Sequence, residues 1–475
     1  MKKLITVVCL LLFVLVLNAQ ENQTKKYDSI WEGKLKLSSG LSLKIILKIV
    51  KNDDGSYSGF LDSPDQGAKD IPASSVAMTE DSLKFESKMI GASYAAKILK
   101  DSMITVGKFK QGMANLDLNL KKVDKIAEVR RPQLPVKPYP YNEEEVAFEN
   151  KEAKITLAGT LTFPKGEGNF PAVVLVTGSG RQDRDEALFE HKPFLVIADY
   201  LTRNGIAVLR YDDRGVAKST GNYSAATTED FAGDALSAVE YLKSRKEINH
   251  KQIGIIGHSE GGMVAPIAAT NSNDVAFIVL LAGPGVSGKD VLVRQTGLIL
   301  KANGMADDEI NKNIKQSEEA YEIINNSPDS STAYVELKKM FDKEVAGLSE
   351  EDKKKPEYSE ENFNRQMATM LSPWFRFFLK FNPQPILGNV SIPVLALNGE
   401  KDLQVDPDQN LSAIEKALKL GGNNNFKTVK LPRLNHLFQT SSTGAPSEYG
   451  QIEETFSPDA LKIMGDWINE ITRSR

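Results

Sequence analysis

The stretch Gln252-Ile253-Gly254-Ile255-Ile256-Gly257-His258-Ser259-Glu260-Gly261-Gly262 constrains this chain more than any other. Its isoleucines read as a buried strand, and Met263-Val264-Ala265-Pro266-Ile267-Ala268-Ala269 beyond it reads as a small-residue helix. Between them lies Gly-x-Ser-x-Gly, the sequence form of a strand-to-helix turn so tight that only glycine neighbours fit. Such a turn carries Ser259 Oγ into an open site and aims unpaired N–H groups of the helix start at the same point. The plainer alternative is a serine in an ordinary glycine-rich turn. The two readings differ in what else the chain must supply: a nucleophilic serine needs a base, an acid to orient that base, and a second oxyanion donor.

A chain of 475 residues exceeds one core and implies two or more units. Lys2 and Lys3 precede an apolar run from Leu4 to Leu17 and then Asn18-Ala19-Gln20, so residues 1–19 are expected to be a signal peptide. That implies export to a periplasmic or extracellular space, with no stable membrane insertion once the run is cleaved. The single cysteine, Cys9, falls inside this segment, which excludes disulfides and cysteine metal sites from the mature chain. A formal net charge of −4 without a basic stripe argues against nucleic acid as a partner.

Residues 20–130 are expected to form an antiparallel β domain, because from residue 30 to 122 apolar residues alternate. Examples are Leu41, Leu43, Ile45, Leu47 and Ile49, then Leu83 and Phe85, Ile104 and Val106, and Leu116, Leu118 and Leu120; Asp54-Gly55 reads as a hairpin turn. The proline-rich residues 131–140 read as a stiff linker. Residues 141–475 alternate strand and helix: a leading hairpin at 154–163, apolar strands at 172–177, 206–211, 252–257 and 276–281, and further strands at 394–397 and 426–431. The expected fold is α/β, a doubly wound and mostly parallel sheet. It is interrupted at about 285–385 by a helical cap inserted at the ligand-binding edge.

Of the four histidines, His436 follows the last strand, where the order serine, acid, histidine requires the base. His258 adjoins the serine on the strand and is expected to face away, His250 lies at the far end of the sheet, and His191 is out of order. The acid is expected after the strand at 394–397, where Asp402 is favoured over Glu400, and Asp406 reads as the N-cap of a helix beginning at Pro407. The oxyanion donors are expected to be the backbone N–H groups of Glu260 and of Ser179 in Gly178-Ser179-Gly180, with Gly180 as the substitute for Ser179. The charges at Arg181, Asp183, Arg184, Asp185, Asp212, Asp213 and Arg214 read as salt-bridged scaffolding. In the cap, Trp374 and Phe375 are candidates to wall a substrate pocket, unless their ring-rich helix packs inward as the insertion's own core. No residues have metal-ligand spacing, and no cofactor is called for.

The segments Thr177-Gly178-Ser179-Gly180-Arg181-Gln182-Asp183-Arg184-Asp185-Glu186, Arg210-Tyr211-Asp212-Asp213-Arg214-Gly215 and Gly257-His258-Ser259-Glu260-Gly261-Gly262 resemble those of EstD-type bacterial esterases of the α/β-hydrolase superfamily. The resemblance covers residues 141 to the C-terminus and departs at Arg181, where a proline is usual, and at Ala217, where a glycine is usual. It implies a Ser259, Asp402, His436 triad hydrolysing small carboxylic esters, of short acyl chain, without a cofactor. A peptidase or amidase on the same fold would share the triad, with cap carboxylates such as Glu318, Glu319 and Glu322 holding a substrate amine. A reading from another class is recognition of a glycan or envelope component by the β domain.

Overall fold

The computed structural model of the chain describes residues 27–36, 42–64, 68–111, 114–126, 129–354 and 358–473; the expected leader at 1–19, Cys9 and Leu41 lie outside the described residues. The N-terminal strands are β1 (Ser29–Lys36), β2 (Ser42–Lys51), β3 (Tyr57–Ser63), β4 (Ala68–Pro72), β5 (Ser75–Met78), β6 (Ser82–Ser87), β7 (Ala92–Leu99), β8 (Ile104–Gln111) and β9 (Ala114–Val123). All pair antiparallel, and pairings β1 to β9 and β2 to β3 close eight of them into a barrel, with β4 added beside β3. Closure removes the exposed edges that an open antiparallel sheet would carry. The interior is filled by Trp31, Leu47, Leu83, Phe85, Leu118 and Leu120.

One expected phase is inverted. In β8 it is Thr105 and Phe109 that face the interior, while Val106 is 48% exposed. Thr105 is tolerated inside because its hydroxyl meets Tyr94 Oη at 2.5 Å and accepts from the Leu120 N–H at 3.1 Å, so no buried polar group is left unpaired.

The linker does not act as a free spacer. Arg131 donates to the carbonyls of Phe189, Gly450 and Ile452, and Gln133 to that of Phe456, which pins it to the larger domain. Lys69 of the barrel also reaches Glu190 of that domain at 2.6 Å.

The second sheet contains β10 (Asn142–Asn150), β11 (Ile155–Phe163), β12 (Phe170–Val176), β13 (Ala207–Tyr211), β14 (Ile248–His258), β15 (Phe277–Leu281), β16 (Val394–Gly399) and β17 (Phe426–Leu431). Their spatial order is β10, β11, β13, β12, β14, β15, β16, β17, parallel from β13 onward. The expected hairpin at 154–163 is in fact one strand, β11, paired with the charged edge strand β10, whose Glu143-Glu144-Glu145 run hid its period. Helices α1 (Pro193–Arg203) and α11 (Pro458–Arg473) pack on one face; α2 (Thr228–Lys243), α3 (Gly261–Asn271) and α10 (Pro407–Leu420) pack on the other. The chain order reverses between β12 and β14, and the carboxyl ends of strands at such a reversal open a crevice.

Between β15 and β16 the chain leaves the sheet as α4 (Gly288–Ala302), α5 (Asp307–Asn326), α6 (Ser330–Ala346), α7 (Glu360–Met370), α8 (Pro373–Lys380) and α9 (Gln384–Leu387). This is the expected helical cap. It has a core of its own around Tyr321, Ile324, Leu337, Phe363, Phe375 and Leu379.

Candidate active site

Ser259 stands where β14 turns into α3, with a left-handed φ of 52° that costs a non-glycine residue roughly 1 kcal/mol or more. Its N–H donates to the Leu281 carbonyl at 2.8 Å, which ties the turn to β15. A Cβ on Gly257 would lie 1.9 Å from the Gly261 carbonyl oxygen, and one on Gly261 would lie 2.3 Å from that of Val176. Only glycine at these two positions lets α3 fold back over the sheet so closely.

His436 lies in the loop after β17, and its Nδ1 is 2.8 Å from Asp402 Oδ2, both side chains being almost fully buried. The other carboxylate oxygen, Oδ1, accepts from the N–H groups of Gln404 and Val405, so Asp402 is held from both sides. The two competing acids are engaged elsewhere. Glu400 accepts from the exposed Arg433 N–H, while Asp406 caps α10 and pairs with Arg294 at 2.6 Å. With Asp402 accepting at Nδ1, that nitrogen carries the proton and Nε2 is left as the basic atom.

The turn after β12 has two of its amides spoken for: Gly178 N–H donates to Glu186 Oε1 at 2.7 Å and Gly180 N–H to Tyr223 Oη at 2.9 Å. That removes Gly180 as the substitute oxyanion donor and leaves Ser179, which is exposed, as the one amide of the three with no hydrogen bond among the described residues. A Cβ on Gly178 would lie 3.2 Å from Ser259 Cβ, so this turn abuts the serine.

The Glu260 side chain points inward and is fully buried. Its Oε1 accepts from Thr228 Oγ1 at 2.7 Å and from the Trp374 indole at 2.8 Å, which joins the cap to the residue after the serine. Burial pushes this carboxyl up to about 7, against the two hydrogen bonds that favour its charged form. Trp374 is half-buried and stacks on Phe378 at 5.4 Å. The expectation that Phe375 walls a substrate pocket is corrected: at 0% exposure it belongs to the cap's core, because α8 turns that face toward Tyr321 and away from the crevice.

Most of the charged motif residues are scaffold. Arg184 grips Asp212 with two nitrogens at 3.0 and 2.8 Å and reaches Glu145; Arg210 pairs with Asp185, and Arg214 with Asp230 and Asp234. Asp213 departs from this pattern. It is buried with only Thr177 Oγ1 and the Gln182 N–H as donors among the described residues, and burial pushes its carboxyl well above the usual range. Arg181 lies over the Tyr223 ring, and Ala217 takes a φ of 44° that glycine would adopt without strain.

The sequence reading of His258 is also corrected. Its ring does not turn away but sits 4.9 Å from that of His436, with Nδ1 2.9 Å from Glu186 Oε1 and Nε2 3.0 Å from the His436 carbonyl. Glu186 closes the first of the quoted motifs, and nothing in its local pattern points to a partner 72 positions away. Glu319 and Glu322 are exposed on α5 and Glu318 is half-buried, and Glu322 pairs with Lys289 at 3.2 Å.

Residues 154–428, more than half of the chain, match the family described as X-Pro dipeptidyl-peptidase (S15 family). Esterase EstD of Thermotoga maritima is 30% identical over 306 residues, which cover 64% of this chain and 63% of that esterase. An acyl transferase of Shewanella woodyi is 31% identical over 146 residues, 30% of this chain and 44% of that protein. Among solved structures, a Pyrococcus furiosus esterase aligns with 74% of this chain and 99% of its own at 14% identity and a TM-score of 0.43.

Proposed function

Because the chain belongs to the X-Pro dipeptidyl-peptidase (S15) family, we propose that it is a serine hydrolase whose substrates are small carboxylic esters. The observation that carries this reading is the strained Ser259 at the crevice together with a His436 ring already oriented by Asp402. His436 Nε2 takes the Ser259 proton as Oγ attacks the ester carbonyl, and Asp402 stabilises the imidazolium that forms. The N–H groups of Ser179 and Glu260 hold the developing oxyanion. The imidazolium then returns its proton to the leaving alcohol. Water, activated by the same ring, releases the acid and frees the serine. Trp374, whose indole donates to Glu260 beside the serine, is assigned to the acyl side, and a short acyl chain is part of this reading. The likeness to an esterase over 64% of the chain supports the ester reading. The peptidase reading draws on the family's description. It needs an anion placed for the substrate amine, and of the cap acids first considered Glu319 and Glu322 are exposed.

Turnover of p-nitrophenyl acetate, butyrate and octanoate should be compared with that of X-Pro p-nitroanilides. Higher kcat/KM for the acetate or butyrate ester is expected. A preference for the anilide would favour the peptidase. No turnover of any of them, with Ser259 unlabelled by a fluorophosphonate, would end the hydrolase reading.

A further inference from the structure

We infer that Glu186 and His258 form a buried ion pair that positions the oxyanion turn and the loop of the base against Ser259. The inference rests on the hydrolase reading for its effect on turnover, but its charge state follows from contacts alone. His258 presents both ring nitrogens to acceptors: Nδ1 to Glu186 Oε1 at 2.9 Å and Nε2 to the His436 carbonyl at 3.0 Å. A carbonyl can only accept, so Nε2 carries a proton. Glu186 Oε1 also receives the Gly178 N–H at 2.7 Å, and an oxygen accepting from two sides places the second proton on Nδ1. The ring is therefore an imidazolium facing a carboxylate, with both side chains at most 7% exposed. Burial opposes this charge, yet Glu186, the His436 carbonyl and Asp402 together hold the His258 pKa above its ordinary value. The charged and titratable groups facing the ring are Glu186 on the loop after β12, His436 on the loop after β17 and, behind it, Asp402 on the loop after β16.

Four strands end at the site, and this pair joins the loops after β12 and β17 to the end of β14. Glu186 holds Gly178, next to Ser179; His258 precedes Ser259 on β14; the His436 carbonyl belongs to the base itself. Glu186 keeps a φ of 49°, a left-handed strain sustained where surrounding contacts over-determine the backbone. Neither side chain touches the reacting atoms, so both are positioning residues, and a displacement of the amide or the base by about 1 Å costs roughly 100-fold in rate.

Two measurements on the full chain test the pair. With four histidines in the sequence, imidazole ¹⁵N spectra resolve each ring. The His258 protonation midpoint should lie above the ordinary histidine value of about 6.5, and Glu186→Gln should lower it. A midpoint at or below that ordinary value in the unmodified chain overturns the inference without any variant. In kinetics, His258→Gln and Glu186→Gln should each lower kcat for p-nitrophenyl acetate roughly 100-fold with KM changed less than about threefold. Folded variants with unchanged kcat, or with a raised KM alone, overturn the positioning role. The protonation measurement needs no turnover, so failure of the hydrolase reading and failure of the pair are seen separately.

Discussion

On the outer wall of the barrel, Lys48 is 2% exposed and reaches Asp62 at 2.6 Å and Asp70 at 2.5 Å, so buried charge there is matched at once by opposite charge. At the carboxyl edge of the larger sheet, Asp213 and Glu260 are as deeply buried, and neither forms an ion pair among the described residues. Strain is divided the same way. Among the described residues Asp70 and Met103 are the non-glycine positions of positive φ in the barrel, whereas Glu186, Ser259, Ala282 and Phe438 adopt it around the crevice. A wall that only has to persist sets its buried charge against opposite charge. A crevice that has to act keeps uncompensated acids and strained turns, maintained by the packing around them.

The comparison breaks most readily at Ser259. Ser259→Ala should lower kcat by about 10⁶ because members of such a unit fail together, with the thermal melt nearly unchanged, since alanine keeps the Cβ that strains the turn. A folded variant that retains ester turnover would remove the functional half of the contrast.

Asp402→Asn should cost about 10⁴ in turnover by leaving His436 in the wrong tautomer, whereas Glu400→Gln should leave kcat within a few-fold. The reverse ranking in steady-state kinetics would mean that the acid was misassigned.

In the barrel the effect should fall on stability instead. Lys48→Met strands Asp62 in a buried site, and breaking such a pair costs about 3 kcal/mol or more. Denaturant unfolding should register that loss while kcat per folded molecule stays constant. A large drop in kcat would show that the barrel wall takes part in the chemistry.

Glu260 offers the finest test. Its folded pKa of about 7 lies above the value of about 4.5 for a free carboxyl, so the folded chain holds a proton that the unfolded chain releases. Stability is therefore highest below pH 4.5 and falls as pH rises through 7, by a total of about 3 kcal/mol from this group. Unfolding measured at pH 5 and pH 8 should show a smaller difference in Glu260→Gln than in the unmodified chain. An equal difference would mean that Glu260 is ordinarily ionised and that the contrast with the barrel is smaller than the burial implies.

Features with a short sequence range were legible in the chain itself. The turn at Ser259 follows from glycines within four positions of one another, the barrel strands from a period of two, and the cap from a break in the strand pattern between residues 281 and 394. The misreadings came where one pattern served two structures. The glutamates of β10 concealed a strand, the threonine phase of β8 concealed its inner face, and the rings of α8 were equally compatible with a cap core and a pocket wall.

What the sequence alone determined is therefore the backbone: which segments are strands, where the strained serine must stand, and in what order its partners follow. The tertiary structure decided which of several eligible side chains meet. It paired Asp402 rather than Glu400 with His436 across 34 positions, took up the amides of Gly178 and Gly180, and buried Phe375 in the cap. It also brought Glu186 to His258 across 72 positions. The physical reason is range. Steric limits on φ and ψ act between neighbours and are written in local composition, whereas hydrogen bonds and buried charges are chosen among groups that only the packed sheet brings within about 3 Å.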